Sequence, residues 1–281
     1  MAGVGVCPLG ETRLPEDRVE RIADYTLIRA LAEGNYGEFY VATPPERLKV
    51  TAEFVAVKVL AGRTSEDAFR RATKELRLFA AVQSPYLVRL YDAGQEGETF
   101  YYSMEYFPMG SLAAPARPLS REEALRAVAN AARAAHALHE AGIVHRDIKP
   151  GNIMLWEGGA KLSDLGLAQL VQPGLTVTGM GPIGSVEFMD PGIMRGARAS
   201  RASDIWSLGV TLHRALTGKG LYGELAENEP LLVMRKVLSA SPTIDGSLPP
   251  AAAQLIKECL APDPADRPLT ALAVAERIEA L

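Results

Sequence analysis

The spacing of apolar residues changes along the chain, and the change divides it. Short apolar and aromatic runs at Tyr25 to Leu31, Gly37 to Ala42, Glu53 to Leu60, Leu87 to Tyr91 and Thr99 to Met104 are separated by glycines and polar residues, which predicts strands. Between them, from Thr64, the repeat becomes helical: Phe69, Ala72, Leu76 and Phe79 recur at 3 and 4, and Thr64 with Asp67 reads as a capping pair. Further on, Ser120-x-x-Glu123 is a capping box that opens a long amphipathic helix carrying Leu125, Val128, Ala132, Ala135 and Leu138. The segment DIWSLGVTLHRALTG, from Asp204, is apolar nearly all round and predicts a buried central helix, with Trp206 and His213 as packing residues. Helical runs near Pro230 to Leu238, Ala251 to Leu260 and Thr270 to Leu281 complete the pattern. Residues 1–22 are polar and aperiodic and read as a flexible leader. The expectation is an α+β chain, one large domain or two lobes, with 23–106 small and mostly β with one helix and 107–281 larger and mostly α.

Composition narrows the partners. An apolar content of 48% over 281 residues is ample for a core, and 30 basic against 34 acidic residues leave no basic stripe for a nucleic-acid backbone. Cys7 and Cys259, the two cysteines, suggest no disulfide framework and fit a reducing, cytoplasmic compartment. The start lacks a secretory signal, and Gly3 stands third rather than second, which argues against myristoylation. The longest uncharged stretch, Leu165 to Val186, is broken by Gly and Pro, so no membrane span is expected, and a segment beyond residue 281 of a longer protein stays open.

The candidate chemistry centres on IVHRDIKPGNIML, Ile143 to Leu155. Asp147, Lys149 and Asn152 fall within a few positions of each other, between apolar patches that read as short buried strands (Ile143, Val144 and Ile153 to Leu155). Downstream, KLSDLGLA places Asp164 at the expected tip of a hairpin. A carboxylate, a lysine, and an Asn with an Asp for a hard cation are the parts that phosphoryl transfer from a metal nucleotide needs. Taken alone, HRD also fits a solvated loop between strands. His136 and His139 lie on one helix with no third ligand nearby, which favours packing over a metal.

These motifs resemble those of the eukaryotic-type Ser/Thr protein kinase family. The loop around Asp147 is similar to its catalytic loop, and DLG at Asp164 to its DFG. Gly34 and Gly37 in LAEGNYGEFY, by themselves an ordinary hairpin, resemble the glycine-rich loop once FVAVK brings Lys58 to the next strand. The resemblance implies a bilobal kinase fold, ATP with Mg²⁺ (or Mn²⁺), and a protein substrate, the chain itself included. It also implies the roles. Asp147 would take or orient the substrate hydroxyl proton, Lys149 would neutralise the transferring phosphoryl, and Asn152 and Asp164 would hold the metal. Lys58, supported by Glu75, would bind phosphates; Glu75 alone also fits a solvated helix face. Met104 would be the gatekeeper and Glu105, Tyr106 and Phe107 the hinge, with Ala56, Phe39 and Met154 also lining the base, although the hinge residues alone read as a strand end and loop. Lys149, two residues past Asp147, is the Ser/Thr pattern. Arg146 would meet a phosphate on Thr176 or Thr178, and Ser185 stands at the Thr position of the substrate platform. An Ala- and Arg-rich composition suggests a bacterial source.

Departures from the pattern sharpen the expectations. Ala32 replaces the first glycine of the loop, and Phe39 replaces a Val, a bulkier group that implies weaker nucleotide affinity or altered base selectivity. In GSVEFMDPG, Asp190 replaces an Ala and Gly192 the Glu that ordinarily pairs with the arginine matching Arg267. A buried arginine left without a partner costs roughly 3–5 kcal/mol. Asp190 or a backbone carbonyl is therefore expected to take over, or Arg267 to be solvated. The rival readings are a nucleotide-binding pseudokinase, which Phe39 and Gly192 favour, and a small-molecule phosphotransferase.

Overall fold

The computed structural model describes residues 21–34, 37–60, 62–164, 183–223, 225 and 229–281, the side chains of 32–34, 183–185 and 230 excepted. The leader up to residue 20, Thr176, Thr178 and the Ser185 side chain lie outside the described residues. The chain divides into two compact units, one of residues up to Arg63 with Tyr91–Tyr106, the other of Thr64–Leu90 with Phe107–Leu281.

The first unit is a six-stranded sheet in the order β1-β2-β3-β4-β6-β5, antiparallel from β1 to β6. Its strands are β1 (Arg21–Ile22), β2 (Tyr25–Gly34), β3 (Gly37–Thr43), β4 (Val55–Leu60), β5 (Leu90–Glu96) and β6 (Thr99–Glu105). Tyr25, Leu27, Tyr40, Ala42, Val55, Val57 and Tyr101 bury their side chains on one another. The Tyr25 hydroxyl is satisfied inside that core by Ser103 Oγ at 2.7 Å and by Asp92 at 3.1 Å. Arg21 and Ile22, expected in the leader, pair instead with Thr26 and Tyr25, because Ile22 is apolar and the core takes it. At the β2–β3 turn Gly34 pairs with Gly37. Gly37 has φ +154°, and a Cβ there would stand 2.0 Å from the Val59 carbonyl oxygen, so the close approach of β3 to β4 requires glycine.

The second unit begins with α1 (Glu66–Ala81), which buries Ala68, Ala72, Leu76 and Phe79. Its cap is Ser65, not Thr64: Thr64 is itself buried, and the Ser65 side chain accepts from the Ala68 amide at 3.3 Å. The strand expected over Leu87 to Tyr91 is also displaced. Tyr86 and Val88 exchange backbone hydrogen bonds with Leu162, at 2.8 and 3.0 Å, and β5 starts only at Leu90.

Helix α2 (Arg121–Glu140) opens on the expected Ser120–Glu123 capping box. It ends at Gly142, whose φ of +76° lets its own amide reach the His139 carbonyl and lets the Ile143 amide reach Leu138. Ile143 and Val144 therefore close a helix and form no strand. The hairpin of β7 (Ile153–Trp156) and β8 (Gly159–Leu162) turns at Glu157 and Gly158, and Asp164 lies past the end of β8 rather than at the tip. The rest comprises α3 (Pro191–Met194), α4 (Arg201–Thr217), α5 (Pro230–Ser239), α6 (Pro250–Cys259) and α7 (Ala271–Glu279). Helix α4 is buried from Ser203 to His213 and packs on α2 and α6. Gly209 permits that contact, since a Cβ there would stand 2.6 Å from Cys259 Cβ.

Candidate active site

In the first unit, strand register does the positioning. Phe39 pairs with Lys58 and Lys58 with Tyr102, while Val41 pairs with Ala56 and Ala56 with Met104. Side chains two apart on a strand, and those directly opposite across a ladder, share a face. Phe39, Ala56, Lys58 and Met104 therefore line one face of the sheet. The Lys58 ammonium lies 4.6 Å from the centre of the Phe39 ring and 5.8 Å from that of Tyr102. The unexpected phenyl ring is thus a neighbour of the lysine itself. Glu105 closes β6 opposite Val55.

In the second unit, the catalytic loop is held from beneath by one carboxylate. Asp204, at the start of α4 and 1% exposed, accepts the His145 amide at 2.8 Å and the Arg146 amide at 2.9 Å, and pairs with His139 Nε2 at 2.8 Å. These contacts hold Arg146 at φ +72°, a left-handed conformation that costs a non-glycine residue on the order of 1 kcal/mol. His145 is fully buried, and that burial pushes its pKa down, so the ring is neutral. With the Asp147 amide donating to its Nδ1 at 3.3 Å, the proton sits on Nε2 and points to the Ser163 carbonyl at 3.0 Å. Sequence alone gives neither Asp204 nor His139 a place in the site; a lone acid in the first turn of a helix apolar nearly all round is the available signal.

Above this base the expected residues meet. Asp147 Oδ2 accepts Lys149 Nζ at 2.8 Å and Asn152 Nδ2 at 2.9 Å, and the same amide nitrogen donates to the Asp147 carbonyl at 2.7 Å. The other carboxylate oxygen, Oδ1, accepts no hydrogen bond among the described residues and leaves a base position for a substrate hydroxyl. Asn152 in turn is tied to the residue before Asp164, because its carbonyl accepts both the amide (2.8 Å) and the hydroxyl (3.1 Å) of Ser163. Asp164 follows with φ +54°, a conformation Asp tolerates. With its amide nitrogen committed to Asp147, Asn152 has its Oδ1 left for a cation, and Asp164 follows Ser163, the residue tied to the Asn152 carbonyl. Two hard oxygen donors of this kind fit Mg²⁺.

The remaining expectations divide by unit. Lys58 belongs to the first; Glu75, half-buried on α1, belongs to the second. Met154 sits on β7 opposite Lys161, and Phe107 is buried with the Lys161 ammonium 5.8 Å from its ring centre. Arg146 is exposed. Arg267 is buried and paired as expected: Nη1 reaches Asp190 Oδ2 at 2.6 Å and the Ala202 carbonyl at 2.8 Å, and Nε reaches the Ala261 carbonyl at 2.9 Å.

Comparison with known proteins places the chain in a family. The family described as protein kinase domain matches residues 25–277. Among similar proteins from Mycobacterium tuberculosis, serine/threonine-protein kinase PknK is 32% identical over 94% of this chain and 24% of its own length. PknA is 34% identical over 86% of this chain and 58% of its own, and PknD 31% over 88% and 38%. The chain thus spans between about a quarter and somewhat more than half of these relatives. The family match takes in every motif on which the resemblance rested, in both units, and the chain belongs to the protein kinase domain family.

Proposed function

We propose that this domain transfers the γ-phosphoryl group of ATP to Ser or Thr hydroxyls of a protein, itself included, in the cytoplasm. The observation that carries the reading is the Asp147 carboxylate, fixed through one oxygen by Lys149 and Asn152, with the backbone beside it held by Asp204. The substrate hydroxyl would rest on Asp147 Oδ1, and its oxygen would attack the γ-phosphorus. The bond from that phosphorus to the β–γ bridging oxygen breaks and ADP leaves, while the hydroxyl proton passes to Asp147 and then to solvent. Lys149 offsets the charge on the transferring group, and Lys58 would hold the α and β phosphates. When bound, Mg²⁺ at Asn152 and Asp164 supplies further charge neutralisation. Little covalent work falls to the protein in such a reaction, so fixed placement of charge is the source of rate.

The kinase names of the relatives support this activity. Of the two departures that favoured a pseudokinase, Gly192 loses its force because Asp190 already pairs Arg267. Among the described residues no helix is long and apolar enough to cross a membrane. The test is transfer of label from γ-labelled ATP with Mg²⁺ to a generic protein or to the chain itself, beside Asp147→Asn. Labelling should fall by about 10² to 10⁴ in the variant. Equal labelling by both proteins would remove Asp147 from its role, and nucleotide binding without transfer by the wild type would leave the pseudokinase reading.

A further inference from the structure

Helix α4 carries more than the catalytic loop. Asp204, Ser207 and Arg214 are spaced at three and seven, so they lie along one face. Asp204 holds the loop, and Ser207 Oγ donates to the Phe188 carbonyl at 2.8 Å. Arg214 Nη2 reaches Glu187 Oε2 at 2.5 Å. The segment from Gly184 to Gly192, which resembles the substrate platform, is thus held by the helix that holds the catalytic loop.

The two partners of this pair are unequal. Glu187 has a side chain 2% exposed, and its second oxygen accepts the Leu221 amide at 2.9 Å, so both oxygens are satisfied from within the protein. Arg214 has a side chain 38% exposed and one other bond, from Nη1 to the Gly218 carbonyl at 3.3 Å. A guanidinium carries five N–H donors, and most of these remain for an outside acceptor. What the platform presents to a substrate at this point is therefore a cation, with the neutralising acid buried beneath it. Gly151, in the catalytic loop, adds no acid that would attract a basic substrate.

Distance sets the range. Ten helical residues separate Arg214 from Asp204, about 15 Å at 1.5 Å each. An extended peptide covers that in about five residues. Resting on the proposed kinase activity, we propose that Arg214 is a specificity-determining residue that selects an anionic side chain, carboxylate or phosphate, within about five residues of the phosphoacceptor.

The experiment is a positional peptide scan with the whole chain, ATP and Mg²⁺. Asp, Glu, phosphoserine, Gln or Lys is placed at each of five positions on either side of a central Ser, and kcat/KM is compared within each set. At one position the wild type should prefer an anion over Lys by about fivefold, the scale of a partly exposed charge pair. The phosphoserine and Asp arms tell which anion it favours. Arg214→Lys should keep the preference, whereas the double variant Glu187→Gln with Arg214→Gln, which retains a neutral hydrogen-bonded pair, should reduce the ratio to about one. Because the readout is a ratio within one protein, any change in overall turnover cancels. A wild type that transfers phosphate with no anion preference, or a double variant that keeps it, overturns this proposal alone. A wild type that transfers nothing to any peptide overturns the kinase reading as well.

Discussion

Asp190→Ala is the most demanding perturbation of the packing around the substrate platform. The Arg267 side chain is 1% exposed and that of Asp190 8%, at 2.6 Å, with the guanidinium 5.1 Å from the centre of the Trp206 ring. Removing one member of a buried pair leaves an uncompensated charge and costs about 3–5 kcal/mol. The two carbonyls on Arg267 moderate that figure, but Asp190 also accepts the Gly192 amide at 2.8 Å as the cap of α3, worth about 1 kcal/mol. A loss of about 4 kcal/mol is expected, read as a shift in urea midpoint or a fall of about 10 °C in Tm. The structure also supplies a rescue. A Cβ at Gly192 would have Asp190 Oδ1 as its nearest neighbour, at 3.2 Å, then Ala197 Cβ at 3.8 Å. In Asp190→Ala that oxygen is gone, so Gly192→Glu can be added, and its carboxylate can reach for Arg267 from the position where the family keeps its acid. The double variant should recover at least half the loss, while Asp190→Ala with Gly192→Ala should recover none of it. A single-variant loss below about 1 kcal/mol, or equal recovery by the alanine control, would refute the assignment of Asp190 as the replacement partner.

Other outcomes follow from the same structure. Asp204→Ala removes the acceptor of the His145 and Arg146 amides and of His139; kcat should fall by about 10² and stability by roughly 1–3 kcal/mol for each buried donor left unmade, and wild-type turnover in the variant would contradict its positioning role. Phe39→Val removes the ring 4.6 Å from the Lys58 ammonium, an attraction of about 0.5–1 kcal/mol, so the Kd for ATP by calorimetry should drop about threefold; a rise would mean that the ring helps to place the lysine. Cys259 is buried, and that burial pushes its thiol up to about 12 from an ordinary value of 9.0. The unfolded thiol then loses its proton first as pH rises, so this contribution is whole below pH 9 and is lost towards about 12. Urea midpoints at pH 8.5 and 10.5 should fall more steeply for the wild type than for Cys259→Ala, and parallel slopes would exclude the effect.

Much of the candidate site could be read from the chain because its signals are local. The Ser120–Glu123 box, the run of α4 and the spacing of Asp147, Lys149 and Asn152 depend on residues within a turn or two of each other, where backbone geometry leaves few choices. Strand identity could be read as well, and with it the shared face of Phe39, Ala56, Lys58 and Met104, once pairing set the register. Sequence placed the cap of α1 at Thr64, but the core claims Thr64 and leaves Ser65 at the helix end. It read Ile143 and Val144 as a strand, although their apolar character serves equally well to close a helix behind Gly142.

What the sequence determined by itself was most of the helices and strands and the chemical groups of the catalytic loop, since period, caps and turn residues act over a few positions. Only the tertiary structure decided partners: Asp204 beneath the loop, Asp190 among the alternatives the sequence offered Arg267, and Arg214 for Glu187. A buried charge takes whichever opposite group the packing brings near, from tens of residues away, and no local rule says which one that is.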